Sequence, residues 1–191
     1  MRFKEVFLKN LKLILVKNKA VYIHSLVIIL FLGNLFYGFT DAKSQISSDA
    51  HIIAIVTAVN QNEISVSELA QKKMTSSLLT DYANMIVISH TENIKMANNL
   101  IVSLESGKSE TPELEGLEQK SADKLATLNA LTGNEFETAY LDAMINGHKE
   151  FLNMLDIDLL PMAKSEAVKT YLINTREMVA NHLAEANTFI K

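Results

Sequence analysis

The segment AYLDAMINGHKEFLNML, residues 139–155, has apolar side chains at the spacing of one face of an α-helix. Steps of three and four residues connect Leu141, Met144, His148, Phe151 and Leu155. This period predicts an amphipathic helix whose buried stripe includes one imidazole. A buried polar ring needs a partner, so His148 is a candidate functional residue.

The composition of the whole chain is that of a helical protein. Its 191 residues include only six Gly and two Pro, and good helix formers such as Ala, Leu, Met, Glu and Lys dominate the second half. The length allows one domain of ordinary size plus a targeting segment. The absence of cysteine excludes disulfides, thiolate catalysis and zinc–thiolate sites.

Similar apolar stripes along the chain predict five helices. Gly107, Pro112, Gly116, Gly133 and Pro161 act as stops between them. The predicted helices cover residues 50–73, 76–104, 117–131, 134–158 and 162–189. Four long amphipathic helices and one short helix predict an all-α four-helix bundle.

The N-terminal region has a different pattern. Arg2 and five lysines lie within the first 19 residues, and residues 21–39 carry no charged side chain. This layout predicts a secretory signal cleaved after Ala42, or an uncleaved membrane-anchor helix. We therefore expect a signal or anchor at residues 1–42, a linker at 43–49 and a helical bundle at 50–191. The basic lead keeps the N-terminus in the cytoplasm and sends the bundle to the periplasm, free or anchored to the inner membrane.

The charge of the bundle argues against two classes of partner. The whole chain has a formal net charge of −4, and residues 43–191 carry 12 basic and 20 acidic side chains, a net charge of −8. A negative domain is unsuited to nucleic acid and to an anionic membrane surface. We expect no nucleic-acid binding and membrane contact only through the N-terminal segment, while protein partners stay undefined.

Every long helix has an acid or imidazole within its apolar stripe. In chain order these residues are Glu63, His90, Glu137, His148 and His182. Their heights can be compared by counting residues from turns placed near residues 75 and 160, at about 1.5 Å per residue. The count places Glu63, His90 and His148 at one level and separates His148 from His182 by roughly 15 Å. It groups Glu137 with His182 as a second pair, whichever way the third long helix is threaded.

Neutral imidazoles and a carboxylate are ordinary ligands of transition-metal ions, which bundle interiors often hold. Glu63, His90 and His148 are therefore the first candidate metal ligands, with Glu137 and His182 as a second candidate pair. The alternative is a closed network of buried hydrogen bonds without metal. Tyr140, two turns before His148, either lines the same cavity or is a core tyrosine with a bonded hydroxyl.

Catalytic motifs are scarce. Diiron carboxylate proteins place Glu three residues before His, whereas Val87, Ile145 and Val179 occupy those positions here. The chain has no HExxH, no glycine-rich phosphate loop and no GxSxG. The sequence therefore leaves the catalytic residues unknown and contains no motif for an organic cofactor.

Four segments resemble a family of exported bacterial proteins known as domain of unknown function 4142. The segments are NEISVSELAQKKM (62–74), YANMIVISHTENIKMANNL (82–100), LTGNEFETAYLDAMINGHKEFL (131–152) and REMVANHLAEANTFI (176–190). The resemblance implies a ferritin-like helical fold, export and no established reaction. It also implies that Glu63, His90, Tyr140, His148 and His182 occupy the family's recurring polar positions. Where the family commonly has Phe-Asp, this chain has Phe136-Glu137.

Three functions are compatible with these patterns. The leading hypothesis is a non-enzymatic, metal-binding or stress-related envelope protein with a transition-metal ion of unspecified identity. The second is a structural or interaction bundle whose inward polar groups set the helix register. The third, a metal-dependent oxidoreductase, follows only from analogy with ferritin-like enzymes.

Overall fold

The computed structural model of the chain describes residues 49–104 and 111–190. The predicted signal or anchor and the linker as far as residue 48 lie outside these ranges. Within them the chain forms helices and no β-strand, so the predicted all-α fold is confirmed. None of the described helices combines the length and the apolar character that a membrane span requires.

Five helices account for most of the described residues. They are α1 (Asp49–Lys73), α2 (Ser77–Ser103), α3 (Pro112–Asn129), α4 (Gly133–Met154) and α5 (Glu166–Thr188). A π-helical segment, Leu155–Leu159, and a short helical turn, Leu160–Met162, extend α4.

The four long helices form a ring in which neighbouring helices run in opposite directions. Both α1 and α5 pack against α2 and α4. At the upper end, the Glu137 carboxylate in α4 accepts hydrogen bonds from Thr75 in the α1–α2 turn. At the lower end, Asp49 accepts hydrogen bonds from the backbone of the α4–α5 turn. α4 therefore runs parallel to α2, and the chain returns between them along α3, which packs outside on α1 and α4.

The start of α3 corrects the sequence-based prediction. Pro112 and Gly116 were expected to stop helices, but α3 begins at Pro112 and contains Gly116. Thr111 caps the helix, because its side chain accepts a hydrogen bond from the backbone N–H of Leu114. Proline suits the first turn, where its missing N–H would have no intrahelical partner.

The end of α4 is a second correction. Pro161 was expected to end the helix, yet the chain stays helical through Met162. The N–H of Leu160 bonds to the carbonyl of Leu155, five residues earlier. A proline clashes with the carbonyl four residues before it in a regular α-helix, and the wider π turn relieves this clash. The α4–α5 turn consequently lies at residues 163–165 rather than near residue 160.

Buried polar side chains divide the interior into two apolar regions. The lower region is one hydrophobic cluster built mainly from aliphatic side chains of α1, α4, α5 and the π segment. The upper region contains the aromatic side chains of Tyr82, Phe136 and Tyr140, and the Tyr140 ring contacts the other two. A polar layer separates them and consists of Asn60, Glu63, His90, Asn93, His148, Thr175 and His182.

Candidate metal centre

Three buried histidines from three different helices meet in the polar layer. His90 lies in α2, His148 in α4 and His182 in α5, and none is more than 4 % exposed. Their ring centroids are 5.1 Å apart for His90 and His182, 5.5 Å for His148 and His182, and 6.0 Å for His90 and His148. One ring nitrogen from each lies within 4.8 Å of the other two. We call this group the histidine cluster.

The hydrogen bond at the far side of the His90 ring determines its tautomer. His90 Nδ1 lies 2.6 Å from Asn60 Oδ1, while the Asn60 amide nitrogen donates to the carbonyl oxygen of Val56. Because a carbonyl only accepts, the Asn60 oxygen must be the atom that faces His90. Nδ1 of His90 therefore carries the proton, and Nε2 has a free lone pair.

His148 has the same tautomer for a simpler reason. Its Nδ1 lies 2.6 Å from the carbonyl oxygen of Met144, one helical turn earlier. That oxygen accepts the Nδ1 proton, so Nε2 of His148 is also a free acceptor. Both Nε2 atoms, together with Nδ1 of His182, are buried without a hydrogen-bond partner.

All three imidazoles are neutral at neutral pH. Burial lowers the pKa of His148 to about 4 and that of His182 to about 3. Burial and the two neighbouring rings also hold the pKa of His90 well below its usual value. Neutral imidazole is the form that binds a metal ion. The cluster is therefore a set of three neutral donors in a layer that is closed to solvent.

Glu63 lies in the same layer but is not part of the group of three ligand atoms. Its Oε2 is buried without a hydrogen-bond partner, and its Oε1 would lie 3.1 Å from a Cβ added to Gly147. Gly147, immediately before His148, thus leaves room for the carboxylate. Burial raises the pKa of Glu63 to about 7, and the nearby Lys124 ammonium opposes this effect.

The aromatic group above the cluster includes Tyr140. Its ring is fully buried, and its hydroxyl lies 3.0 Å from Ser67 Oγ. The hydroxyl of Tyr82 donates to the backbone carbonyl of His182, at 3.2 Å. The structure thus gives Tyr140 a bonded hydroxyl, while its role in lining a metal cavity stays a prediction.

The structure changes the predicted grouping of the candidates. His90 and His148 come together as expected, but the third imidazole is that of His182, which the sequence had placed with Glu137. Glu137 Oε1 instead accepts hydrogen bonds from the backbone N–H groups of Thr75 and Ser76, at 2.7 and 3.0 Å. It caps the start of α2, and these bonds lower its pKa.

The grouping failed because the turn was misplaced. The α4–α5 turn is centred on Lys164, with His148 sixteen residues before it and His182 eighteen after it. The two rings are therefore nearly level, within about 3 Å along the helix axes. Asn60 and Asn93 were also overlooked. The signal for them was present, since Asn60 is three residues before Glu63 and Asn93 three after His90.

Comparison with known proteins connects this arrangement to one family. No curated protein and no solved structure gives a significant match to the chain. One family model, described as "Domain of unknown function (DUF4142)", matches residues 39–189, a range that includes the whole polar layer. The chain therefore belongs to the DUF4142 family.

Proposed function

We propose that this chain is an exported envelope protein that binds a first-row transition-metal ion at the histidine cluster. The observation that carries the proposal is the set of unpartnered nitrogens on His90, His148 and His182. A buried acceptor without a hydrogen bond costs roughly 1–3 kcal/mol. A metal ion would remove this cost at Nε2 of His90 and of His148, and also at Nδ1 of His182 when the proton of that ring is on Nε2, whereas a purely structural network would have closed on itself.

The distances suit a small movement upon metal binding. Metal–nitrogen bonds of about 2.1 Å in a tetrahedral site place the ligand nitrogens roughly 3.4 Å apart. The cluster nitrogens lie within 4.8 Å of one another. Each pair would therefore close by at most about 1.4 Å, a shift that small rotations of the rings can supply.

The donor set limits the class of metal. Imidazole nitrogens suit zinc, copper, nickel and iron, whereas magnesium and calcium prefer oxygen ligands. A dication held by three neutral rings in a buried layer also needs a negative charge nearby. Glu63, with a buried and unpartnered oxygen, is the residue that we propose for this role, as a fourth ligand or as a counter-charge.

The ferritin-like topology and the compartment are further parts of the proposal. Parallel α2 and α4, joined by a long return along α3, agree with the single crossover of ferritin-like bundles. The basic lead and uncharged stretch of the N-terminus favour export to the periplasm, with the anchor as the only membrane contact. The net charge of −8 on residues 43–191 favours protein or metal partners over nucleic acid.

The proposal is tested by elemental analysis of the purified protein. The full chain is expressed with its own leader and purified without a histidine tag or chelators. We expect one transition-metal ion per chain in the wild type and its loss in His148→Ala and in His182→Ala. His51→Ala is the matched control, because His51 is also buried but pairs with Glu113 at the lower end of the bundle.

Two results would overturn the proposal. One is a wild-type protein that holds no stoichiometric metal and takes up none from zinc, copper, nickel or iron salts. The other is metal that persists in a variant lacking all three cluster imidazoles. The first result would favour the structural bundle without metal, and the second would place the metal elsewhere in the chain.

A further inference from the structure

A chain of buried hydrogen bonds leads away from the histidine cluster on the far side of His90. Asn60 Nδ2 donates to Asn93 Oδ1 at 2.9 Å, and Asn93 Nδ2 donates to Thr175 Oγ1 at 2.9 Å. The hydroxyl of Tyr171 also donates to Asn93 Oδ1, at 2.7 Å. We call these four residues, Asn60, Asn93, Tyr171 and Thr175, the amide relay.

Every hydrogen bond of the relay has a fixed donor and a fixed acceptor. Thr175 Oγ1 donates its proton to the carbonyl oxygen of Tyr171, so towards Asn93 it can only accept. Asn93 must therefore turn its NH₂ group to Thr175 and its oxygen to Asn60 and Tyr171. Asn60 in turn faces Asn93 with its NH₂ group and His90 with its oxygen. Each orientation determines the next, because an amide has distinct donor and acceptor ends.

The relay lies entirely within the core. Asn60 and Thr175 are fully buried and Asn93 is 3 % exposed. Asn60 comes from α1, which contributes none of the three cluster imidazoles, so through Asn60 each of the four long helices reaches the centre. A reversed Asn60 amide would point its oxygen at the Val56 carbonyl oxygen and at Asn93 Oδ1, which leaves two buried repulsions.

We propose that the amide relay is a positioning device for His90, with Asn60 and Asn93 as positioning residues. It holds His90 in the Nδ1–H tautomer before any metal arrives, so that the buried and unpartnered Nε2 keeps its lone pair free for a metal ion. This inference rests on the proposed function for its purpose, but its structural content applies to the metal-free protein. Residues that orient histidine ligands in this way typically change metal affinity by about 10- to 100-fold when they are replaced.

The tautomer of His90 is tested by nitrogen-15 NMR, because protonated and unprotonated ring nitrogens have distinct chemical shifts. The sample is the metal-free full chain, in detergent or after removal of the leader. We expect wild-type His90 to show protonated Nδ1 and free Nε2, and Asn60→Leu to show a mixture of tautomers. Asn60→Asp should keep the wild-type tautomer, because one carboxylate oxygen still accepts the Nδ1 proton. Its second oxygen faces the acceptors Val56 O and Asn93 Oδ1, so this variant should be less stable than the wild type.

Competition titration with zinc tests the second part. We expect Asn60→Leu to lower zinc affinity by about 10- to 100-fold and Asn60→Asp to retain most of it. Thr175→Val, a nearly isosteric change that keeps the core filled, should lower zinc affinity by less than Asn60→Leu does, since it acts on His90 through two amides. This milder variant provides the test if Asn60→Leu does not fold.

Ser67→Ala is the matched control. Ser67 is fully buried on the same helix as Asn60, and its hydroxyl pairs with Tyr140 rather than with a histidine. It should leave the His90 tautomer and the zinc affinity unchanged. Unchanged tautomer and affinity in both Asn60→Leu and Thr175→Val would overturn the inference. If the wild type binds none of zinc, copper, nickel and iron, the proposed function fails, and the tautomer data alone decide whether the relay positions His90.

Discussion

Individual side chains in the polar layer carry ionisation states that differ from those in water. His148 and His182 are held neutral and Glu63 is held protonated up to about pH 7 because ionised groups are poorly solvated in the core. Glu137, at the helix end, shows the opposite effect, since backbone N–H groups stabilise its charged form. Folding thus shifts the pKa values of these two carboxyl groups in opposite directions, so ionisation of Glu63 destabilises the fold and ionisation of Glu137 stabilises it.

Glu63→Gln should stabilise the metal-free protein in alkaline solution. The pKa of Glu63 rises from 4.5 to about 7 on folding, so the stability of the wild type falls as pH rises through this window. Above it, the ionised carboxylate costs on the order of 3 kcal/mol. We expect a gain of about 1–3 kcal/mol at pH ~8 and little gain at pH ~4.5, measured by urea denaturation.

Glu137→Gln should change the stability in the opposite direction to Glu63→Gln. Hydrogen bonds from Thr75 and Ser76 lower the pKa of Glu137, so its ionised form stabilises the fold at neutral pH. The variant should be less stable than the wild type at neutral pH, with a difference that shrinks in acid. A loss of stability in both variants at alkaline pH would contradict our account of Glu63.

Acid should destabilise the metal-free protein through the histidine cluster. The folded pKa values of His148 and His182, about 4 and about 3, lie below the unfolded value of 6.5. Protons therefore bind preferentially to the unfolded chain as pH falls below 6.5 towards these values. The loss is about 1.4 kcal/mol per pH unit for each histidine. His148→Gln should reduce the slope of unfolding free energy against pH by about 1.4 kcal/mol per pH unit, the contribution of one histidine. An unchanged slope would mean that His148 is accessible to protons in the folded state.

Among the elements, the extension of α4 has the largest effect on the centre. The π-helical segment accommodates Pro161, so the turn to α5 comes four residues later than the proline suggests. This displacement brings His182 level with His148. The lower end is then held by Asp49 at the start of α1, whose two oxygens accept the backbone N–H groups of Lys164 and Ser165.

Asp49→Ala should loosen the connection between α1 and the α4–α5 turn. It removes two charge-assisted hydrogen bonds of 2.9 and 2.8 Å, and we expect a loss of about 1–3 kcal/mol in urea denaturation. Asp156→Ala is the control, because it removes an exposed ion pair with Arg176 on the surface of the same region. It should cost less than Asp49→Ala, and an equal or larger cost would contradict the role assigned to Asp49.

Across the whole molecule, the position of the polar layer explains why an unpaired cluster is tolerated. The lower hydrophobic cluster and the upper aromatic group lie on either side of the layer, and burial of their apolar surface stabilises the fold. α3 covers the seam between α1 and α4, where Glu63 and Gly147 approach each other. The fold therefore keeps buried ring nitrogens and a carboxylate oxygen without hydrogen bonds at its centre, at a cost in stability.

At this scale we also expect export of the chain. The full-length protein should fractionate with the cell envelope, and mass spectrometry should find an N-terminus at Lys43 if the leader is removed after Ala42. An intact chain in the membrane fraction, with the bundle accessible to protease in spheroplasts, would instead identify the anchored form. Retention in the cytoplasm would contradict the proposed compartment.

Apolar periodicity was sufficient to predict four long helices and one shorter helix, and breaks in the stripes identified Glu63, His90, His148 and His182 as inward polar residues. These features are local, since the side chains of one helix face are neighbours in sequence. Membership of the histidine cluster was decided only by tertiary structure. A turn displaced by four residues adds about 6 Å to one helix and removes as much from the next, which shifts their relative register by about 12 Å. That shift separates His182 from the predicted partner Glu137 and places it beside His90 and His148.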